Sequence, residues 1–155
     1  MVASSGDAST LDRDVRLAVY RRIVEIGRPP TAPEMAVELG VATRNVEASL
    51  RRLSEGHVLV LAPGTPYIWM ANPFSAIPTP FEVEVANRRY FGNCIWDALG
   101  ISACLDADAR IRTYCPDCSE PLSLDIRDGA LEPSADGVIH FAVPAARWWD
   151  DIGST

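Results

Sequence analysis

Tyr90-Phe91-Gly92-Asn93-Cys94-Ile95-Trp96-Asp97-Ala98-Leu99 packs a turn, a helix start and two reactive side chains into ten residues. Tyr90-Phe91 closes a strand-like run, Gly92 turns the chain, and Asn93 is a favoured helix N-cap residue. On this reading Cys94 lies in the first helical turn, where free N–H groups and the helix dipole favour a thiolate. Asp97 follows three residues later, on the helix face that carries the sulfur. A soft nucleophile beside a proton carrier suits catalysis. On spacing alone, a single Cys-x-x-Asp more often marks a buried cysteine followed by a helix-capping acid.

Downstream, the helix fades near Ser102-Ala-Cys104, and Ala109-Arg-Ile-Arg-Thr-Tyr114 reads as a strand. Cys115-Pro-Asp-Cys118 is a tight turn and Pro121-Leu-Ser-Leu-Asp-Ile126 the returning strand, with another turn at Asp128-Gly129. Val138-Ile-His-Phe-Ala-Val143 reads as a mostly apolar strand, and Pro144 can open a last short helix through Trp148-Trp149 to Ile152. Upstream, Phe81-Glu-Val-Glu-Val85 alternates as a half-exposed strand should, and Asn87-Arg88-Arg89 turns toward the Cys94 helix. Residues 71–80 form a proline-rich connector, where a domain boundary is expected.

Before that connector, Leu11–Ile26 has Val15, Val19, Ile23 and Ile26 at helical spacing. Thr31-Ala-Pro-Glu34 is a capping-box pattern opening a second helix with Met35 and Leu39 inward. Thr43 would cap a third, whose apolar face is Val46, Leu50 and Leu53. His57–Leu61 and Tyr67–Met70 would be strands around Pro63-Gly-Thr-Pro66, and residues 1–10 a disordered leader. The expected fold class is α+β: a winged helix-turn-helix-like unit over 11–70, then a small mixed β-sheet domain with short helices over 81–155.

Charge narrows the function. The net charge of −7 is uneven, with eight Arg and eight acids in residues 1–62 but six Arg and thirteen acids in 63–155. The second part therefore suits neither nucleic acid nor an anionic membrane. Arg44, Arg51 and Arg52 on the third helix face Glu47 and Glu55, which weakens the electrostatic term that dominates DNA affinity. The chain has no Lys, which excludes a Walker-type phosphate loop and a Schiff-base lysine. Two histidines, His57 and His140, exclude an HExxH zinc helix. With no basic-then-apolar leader and no apolar run of spanning length, a cytoplasmic protein without membrane contact is expected, and its four cysteines should be reduced.

Cys115-x-x-Cys118 has the shape of half a zinc knuckle, but no second pair exists. Cys94, Cys104, Asp97 or His140 would have to complete a zinc site from a distance. A redox dithiol and a reduced turn with packing cysteines remain alternatives. Cys104 is expected to be buried and His140 to be a hydrogen-bonded core histidine. Trp148-Trp149 suits core packing, or the wall of a dry pocket.

At Phe91-Gly-Asn-Cys94-Ile-Trp-Asp97-Ala-Leu99 the chain resembles the organomercurial (alkylmercury) lyases. Three more stretches support the resemblance, in the family's order: Ile77-Pro-Thr-Pro-Phe-Glu-Val83, Tyr114-Cys-Pro-Asp-Cys-Ser-Glu-Pro121, and His140-Phe-Ala-Val-Pro144 with Trp148-Trp149-Asp150-Asp151-Ile152. It implies protonation of a carbon–mercury bond, giving a hydrocarbon and mercuric ion. Cys94 would attack mercury, and Asp97 would take the thiol proton and deliver it to carbon. No cofactor beyond thiols is implied; the substrate is a small organomercurial, and cellular thiols or mercuric reductase accept the ion. The family's second catalytic cysteine follows the tryptophan-rich stretch, and no residue here matches it. Either the chain is truncated, or it has diverged, or Cys115, Cys118 or Cys104 substitutes in space. Mercury ligation by Cys94, Cys115 and Cys118 is the expectation carried forward. The rivals are a non-catalytic thiol-based metal or organometal binder and a winged-helix regulator responding to metal or thiol state.

Overall fold

The computed structural model describes residues 5–132 and 138–153. Three helices come first, α1 (Ser5–Ile26), α2 (Ala32–Leu39) and α3 (Thr43–Glu55). The strands β1 (Val60–Leu61), β2 (Ile68–Ala71) and β3 (Phe74–Ser75) form an antiparallel sheet in that order. A second antiparallel sheet contains β4 (Glu82–Val85), β5 (Arg88–Phe91), β6 (Ala109–Tyr114), β7 (Pro121–Arg127) and β8 (Ala130–Leu131), ordered β5-β4-β6-β7-β8. Helix α4 (Ile95–Leu105) joins β5 to β6, and a 3-10 helix spans Ala145–Asp150. The α+β class holds. Among the described residues no helix is long and apolar enough to cross a membrane.

Local chemistry explains most elements. Glu34 N–H donates to Thr31 Oγ1, while Thr31 N–H donates to the Glu34 carboxylate at 2.7 Å, completing the capping box of α2. Gly40 ends α2 in the left-handed region at φ 66°. In β6, Ala109 and Ile111 point into the core while Arg110 and Arg112 point out. Arg112 sits opposite Glu82 and pairs with Glu82 at 3.0 Å and Glu84 at 2.8 Å, so the alternation of β4 and β6 yields an apolar inner face and a charged outer one.

One core runs from Val15 on α1 to Ile126 on β7. Phe74 lies at its centre, fully buried, with its ring 6.5 Å from that of Tyr20 and 5.5 Å from that of Tyr90. The end of α1 is tied to the second sheet: Arg88 donates to the carbonyls of Val24 and Glu25, and Tyr90 Oη donates to Val24 O at 3.0 Å. These side chains satisfy carbonyls that a helix C-terminus leaves free.

Several expectations change. Residues 5–10, expected as leader, are the first turns of α1; residues 1–4 lie outside the described set. Ile26 is 49% exposed, and Ala18 takes the inward place beside Val15, Val19 and Ile23. Ala42, not Thr43, is the N-cap of α3. The turn expected at 87–89 is strand β5, because Arg88 and Tyr90 dock on α1; the chain reverses at Ala86-Asn87 instead. The 71–80 segment, expected as a connector, carries β3, which pairs with β2 and bridges Gly92. Residues 138–143 form no strand. His140, expected in the core, is exposed there, as is Cys104 on α4.

Candidate functional site

Cys94 is the N-cap of α4, with extended backbone at φ −146° and ψ −178°, and Asn93 precedes it. The expected positions are thus shifted by one residue. The cause is Gly92, whose N–H donates to Phe81 O at 3.0 Å and whose carbonyl accepts from Thr79 Oγ1 at 2.6 Å. Those bonds hold the chain in the sheet until Gly92, so the helix starts only after Cys94. A Cβ at Gly92 would stand 2.6 Å from Ala98 N and 2.9 Å from its Cα, so only glycine lets α4 fold back this tightly.

Asp97 occupies the third position of the helix and is partly buried, as is Cys94. Asn93 Nδ2 donates to Asp97 Oδ2 at 2.9 Å and to Asn72 Oδ1 at 3.1 Å. Asn72 is held in turn, its carbonyl accepting from Tyr20 Oη at 3.0 Å. Asn93 Oδ1 is buried with no partner among the described residues, leaving one acceptor open beside the pair. The role of Asn93 in fixing Asp97, rather than capping α4, depends on Asn72, 21 residues away, and no local pattern announces it.

Burial decides the electrostatics. It pushes the Cys94 thiol above the ordinary cysteine range, and the nearby Asp97 charge adds to the shift. The amide groups of Asp97 and Trp96 face the sulfur and oppose the rise, but no cap hydrogen bond to it forms. The expected lowering is therefore corrected: desolvation outweighs the helix terminus, and the Cys94 sulfur holds its proton more tightly than an ordinary cysteine. Burial also raises the Asp97 carboxyl, against the stabilising side-chain and backbone donors of Asn93. Two neighbouring groups that both resist ionisation are suited to passing one proton between them.

The raised Asp97 has a measurable consequence. Its proton is held more tightly in the folded protein than in the unfolded chain. The group's contribution is thus most favourable below the unfolded carboxylate pKa and is lost as pH rises through the higher folded value. Asp97→Asn removes the buried charge, and Asn can accept from Asn93 Nδ2 in its place. The variant's melting temperature should exceed that of the wild type by a margin that grows from about pH 4 toward neutrality. Thermal melts across that range check it; a constant or shrinking margin would contradict the burial argument.

Cys115 and Cys118 lie in a different loop, the β6–β7 turn. Cys115 N–H donates to Glu120 O and Ser119 N–H to Cys115 O, each at 2.8 Å. The amide groups of Cys118 and Asp117, with the Cys118 thiol, hold the Cys115 sulfur below the usual cysteine range. Cys104 stands ten residues beyond Cys94, about 15 Å along the continuous α4. Among the described residues no three His, Cys, Asp or Glu side chains converge as a metal site. Neither a completed zinc knuckle nor a three-thiol set of Cys94, Cys115 and Cys118 is assembled among the described residues.

Residues 138–153 pack against α4 at Trp96 and against the first sheet at Trp69. Phe141 packs edge-on against Trp96 at 6.3 Å and tilted against Trp148 at 5.5 Å. Trp148 Nε1 donates to Val143 O at 2.9 Å. Trp149 stacks on His57 at 4.1 Å and 7°. A Cβ on Gly153 would meet the Trp69 ring at 2.8 Å. The tryptophans thus form an aromatic strap over the surface between the first sheet and α4, rather than core packing. A cavity of about 420 Å3 lies at the other end of α4, lined by Leu99, Ser102, Asp106, Asp108, Ile126 and Asp128, and includes neither Cys94 nor Asp97.

Residues 74–155, more than half of the chain, match the family model described as alkylmercury lyase. A solved structure described as the mercury-bound form of MerB2 superposes with a TM-score of 0.61 at 22% identity, covering 81% of this chain and 63% of that one. The chain therefore spans less than two thirds of that protein, with which it shares the fold. No curated protein matches it.

Proposed function

Because the chain belongs to the alkylmercury lyase family, we propose that it performs protonolysis of a carbon–mercury bond, with Cys94 as the mercury-binding thiol and Asp97 as the general acid. The observation that carries this reading is the pair itself. A half-buried thiol stands at the N-cap position of α4, and the carboxyl one turn inside the helix is raised by the same burial and steadied by Asn93.

The steps follow from those groups. An organomercurial enters with mercury toward the Cys94 sulfur. A sulfur–mercury bond forms as mercury gives up the ligand it carried, a halide or a small thiolate, and the thiol proton passes to Asp97, whose raised pKa lets it hold that proton. Thiolate donation then places electron density on the mercury-bound carbon. Asp97 returns the proton to carbon, the carbon–mercury bond breaks, and hydrocarbon leaves. Mercuric ion stays on Cys94 as product and passes to an incoming thiol, cellular thiols or mercuric reductase being the acceptors in this scheme. No step requires a resident cofactor. Hydrocarbon release from an alkylmercury compound, compared between the wild type and its Cys94 and Asp97 variants, tests the proposal.

The order of α1, α2, α3 and the β1–β2 hairpin supports a winged-helix-like reading of the N-terminal unit, here serving to cover and brace the site. Arg51 pairs with Glu47 at 3.7 Å, and Arg52 is held by both oxygens of Asp12 at 2.6 and 2.9 Å. Arginines already neutralised release few counterions from DNA. The dissociation constant for duplex DNA at physiological salt should be weaker than about 1 μM, the tight end of non-specific binding. Tighter, sequence-selective binding in a gel-shift titration would favour the regulator instead.

A further inference from the structure

Carbon protonation at Cys94 leaves the Cys115–Cys118 turn without a task. Both thiols are free, Cys118 exposed and Cys115 partly so, and they stand at the two ends of one tight turn in which Ser119 N–H donates back to Cys115 O. The loop between them is short and well tied. Pro116 restricts its backbone, Ser119 turns it at φ 60°, and the two 2.8 Å backbone bonds close it onto the six-pair β6–β7 ladder.

We infer that Cys115 and Cys118 form a second, self-contained site, a two-thiol clamp for a soft cation that accepts two-coordinate binding. Linear coordination by two thiolates needs sulfurs about 4.6 Å apart, twice a metal–sulfur bond of about 2.3 Å, which neighbouring thiols reach by small side-chain rotations. Zinc needs four ligands, and no third His, Cys, Asp or Glu joins the pair among the described residues. Asp117 and Glu120, exposed in the same loop, add negative charge that favours a cation over an anion.

Register places the clamp near the reaction. β5 and β6 flank β4 and both run antiparallel to it, so they run parallel to each other. Phe91 and Arg112 both pair with Glu82. Cys94 and Cys115 each follow three residues later, where the two strands leave the same end of the sheet. At about 4.8 Å per strand, the two strand paths are about 10 Å apart. The clamp's loop therefore leaves the sheet at the same end as the segment that carries Cys94, within short reach of an ion released there. Mercuric ion is thus the cation assigned; this identity, though not the clamp, rests on the lyase reading. Loading is ligand exchange. A mercuric bis-thiolate gives its ion to the Cys115 and Cys118 sulfurs, and their two protons leave on the two displaced monothiols, with no change of oxidation state.

The test uses the full chain carrying Cys94→Ser and Cys104→Ser, Ser being a good N-cap for α4, with folding checked by circular dichroism. One equivalent of mercuric ion is added in excess 2-mercaptoethanol. Retention after gel filtration and alkylation mapped by mass spectrometry are then read. The ion should stay bound and protect Cys115 and Cys118 together. A further Cys115→Ser or Cys118→Ser should each weaken retention about 100-fold or more, the effective-concentration advantage of two linked thiols. Zinc should not be retained against the same thiol. Free alkylation of both cysteines in the presence of the ion, or full retention by either single-thiol variant, would overturn the clamp. Hydrocarbon release by the unsubstituted protein is scored separately. Ion retention without hydrocarbon would refute the lyase reading alone, and hydrocarbon without retention would refute the clamp alone.

Discussion

Asp97→Asn should bind an alkylmercury compound as the wild type does and release hydrocarbon about 10²–10⁴-fold more slowly, the usual contribution of a positioned general acid. Cys94→Ser should lose both steps, because a hydroxyl is a poor ligand for a soft cation. The two phenotypes differ because the two groups act on different bonds. Asn keeps the shape of Asp97 and its link to Asn93 Nδ2, 2.9 Å from the carboxylate in the wild type, but has no proton to exchange between sulfur and carbon. Headspace gas chromatography measures hydrocarbon, and equilibrium dialysis measures bound organomercurial. A wild-type rate in Asp97→Asn would remove Asp97 as the acid. Tight organomercurial binding by Cys94→Ser would move the mercury site elsewhere.

Gly92→Ala should be among the most destabilising single substitutions in the second sheet, costing about 3 kcal/mol, the upper end of ordinary overpacking. The new Cβ would face Ala98 N at 2.6 Å, Ala98 Cα at 2.9 Å and Cys94 O at 3.0 Å. All three are backbone atoms at the start of α4, so relief means moving the helix and with it Cys94 and Asp97. Activity per folded molecule should fall as well as stability. Gly100→Ala, in the same helix, is the control. There the nearest atom is the Pro73 Cβ at 3.4 Å, and exchanging glycine for alanine inside a helix gains up to about 1 kcal/mol. Urea denaturation of the two variants should move the midpoint down for the first and leave it unchanged or raised for the second. Equal, small shifts would mean that α4 is less tightly seated than these contacts require.

What the sequence alone determined was set by rules of short range. The Thr31–Glu34 capping box forms as its residue types dictate. The alternation of Val83 and Val85 with Glu82 and Glu84 gives β4 its two faces, and Ala109–Tyr114 is a strand end to end because Ala109 and Ile111 alternate with Arg110 and Arg112. The tight turn at Cys115–Cys118 follows from a proline and an aspartate between strand-forming runs. The Cys94–Asp97 spacing was legible because three positions separate a helix cap from the third position of the helix it opens.

The tertiary structure decided what depends on partners far along the chain. Arg88 and Tyr90 are strand rather than turn because they dock on carbonyls of Val24 and Glu25, more than 60 residues earlier. Cys94 is a cap rather than a helical residue because Phe81 and Thr79 hold Gly92 in the sheet. Its thiol is raised rather than lowered because burial, a property of the whole fold, outweighs a helix terminus that the sequence could suggest. Val138–Val143 reads as a strand by composition, yet strand pairing needs an edge to join, and this run instead places Phe141 against Trp96 and Trp148. Periodicity reports which face a residue can present; only packing determines what that face meets and how dry it becomes, and the raised proton affinities of Cys94 and Asp97 follow from that dryness.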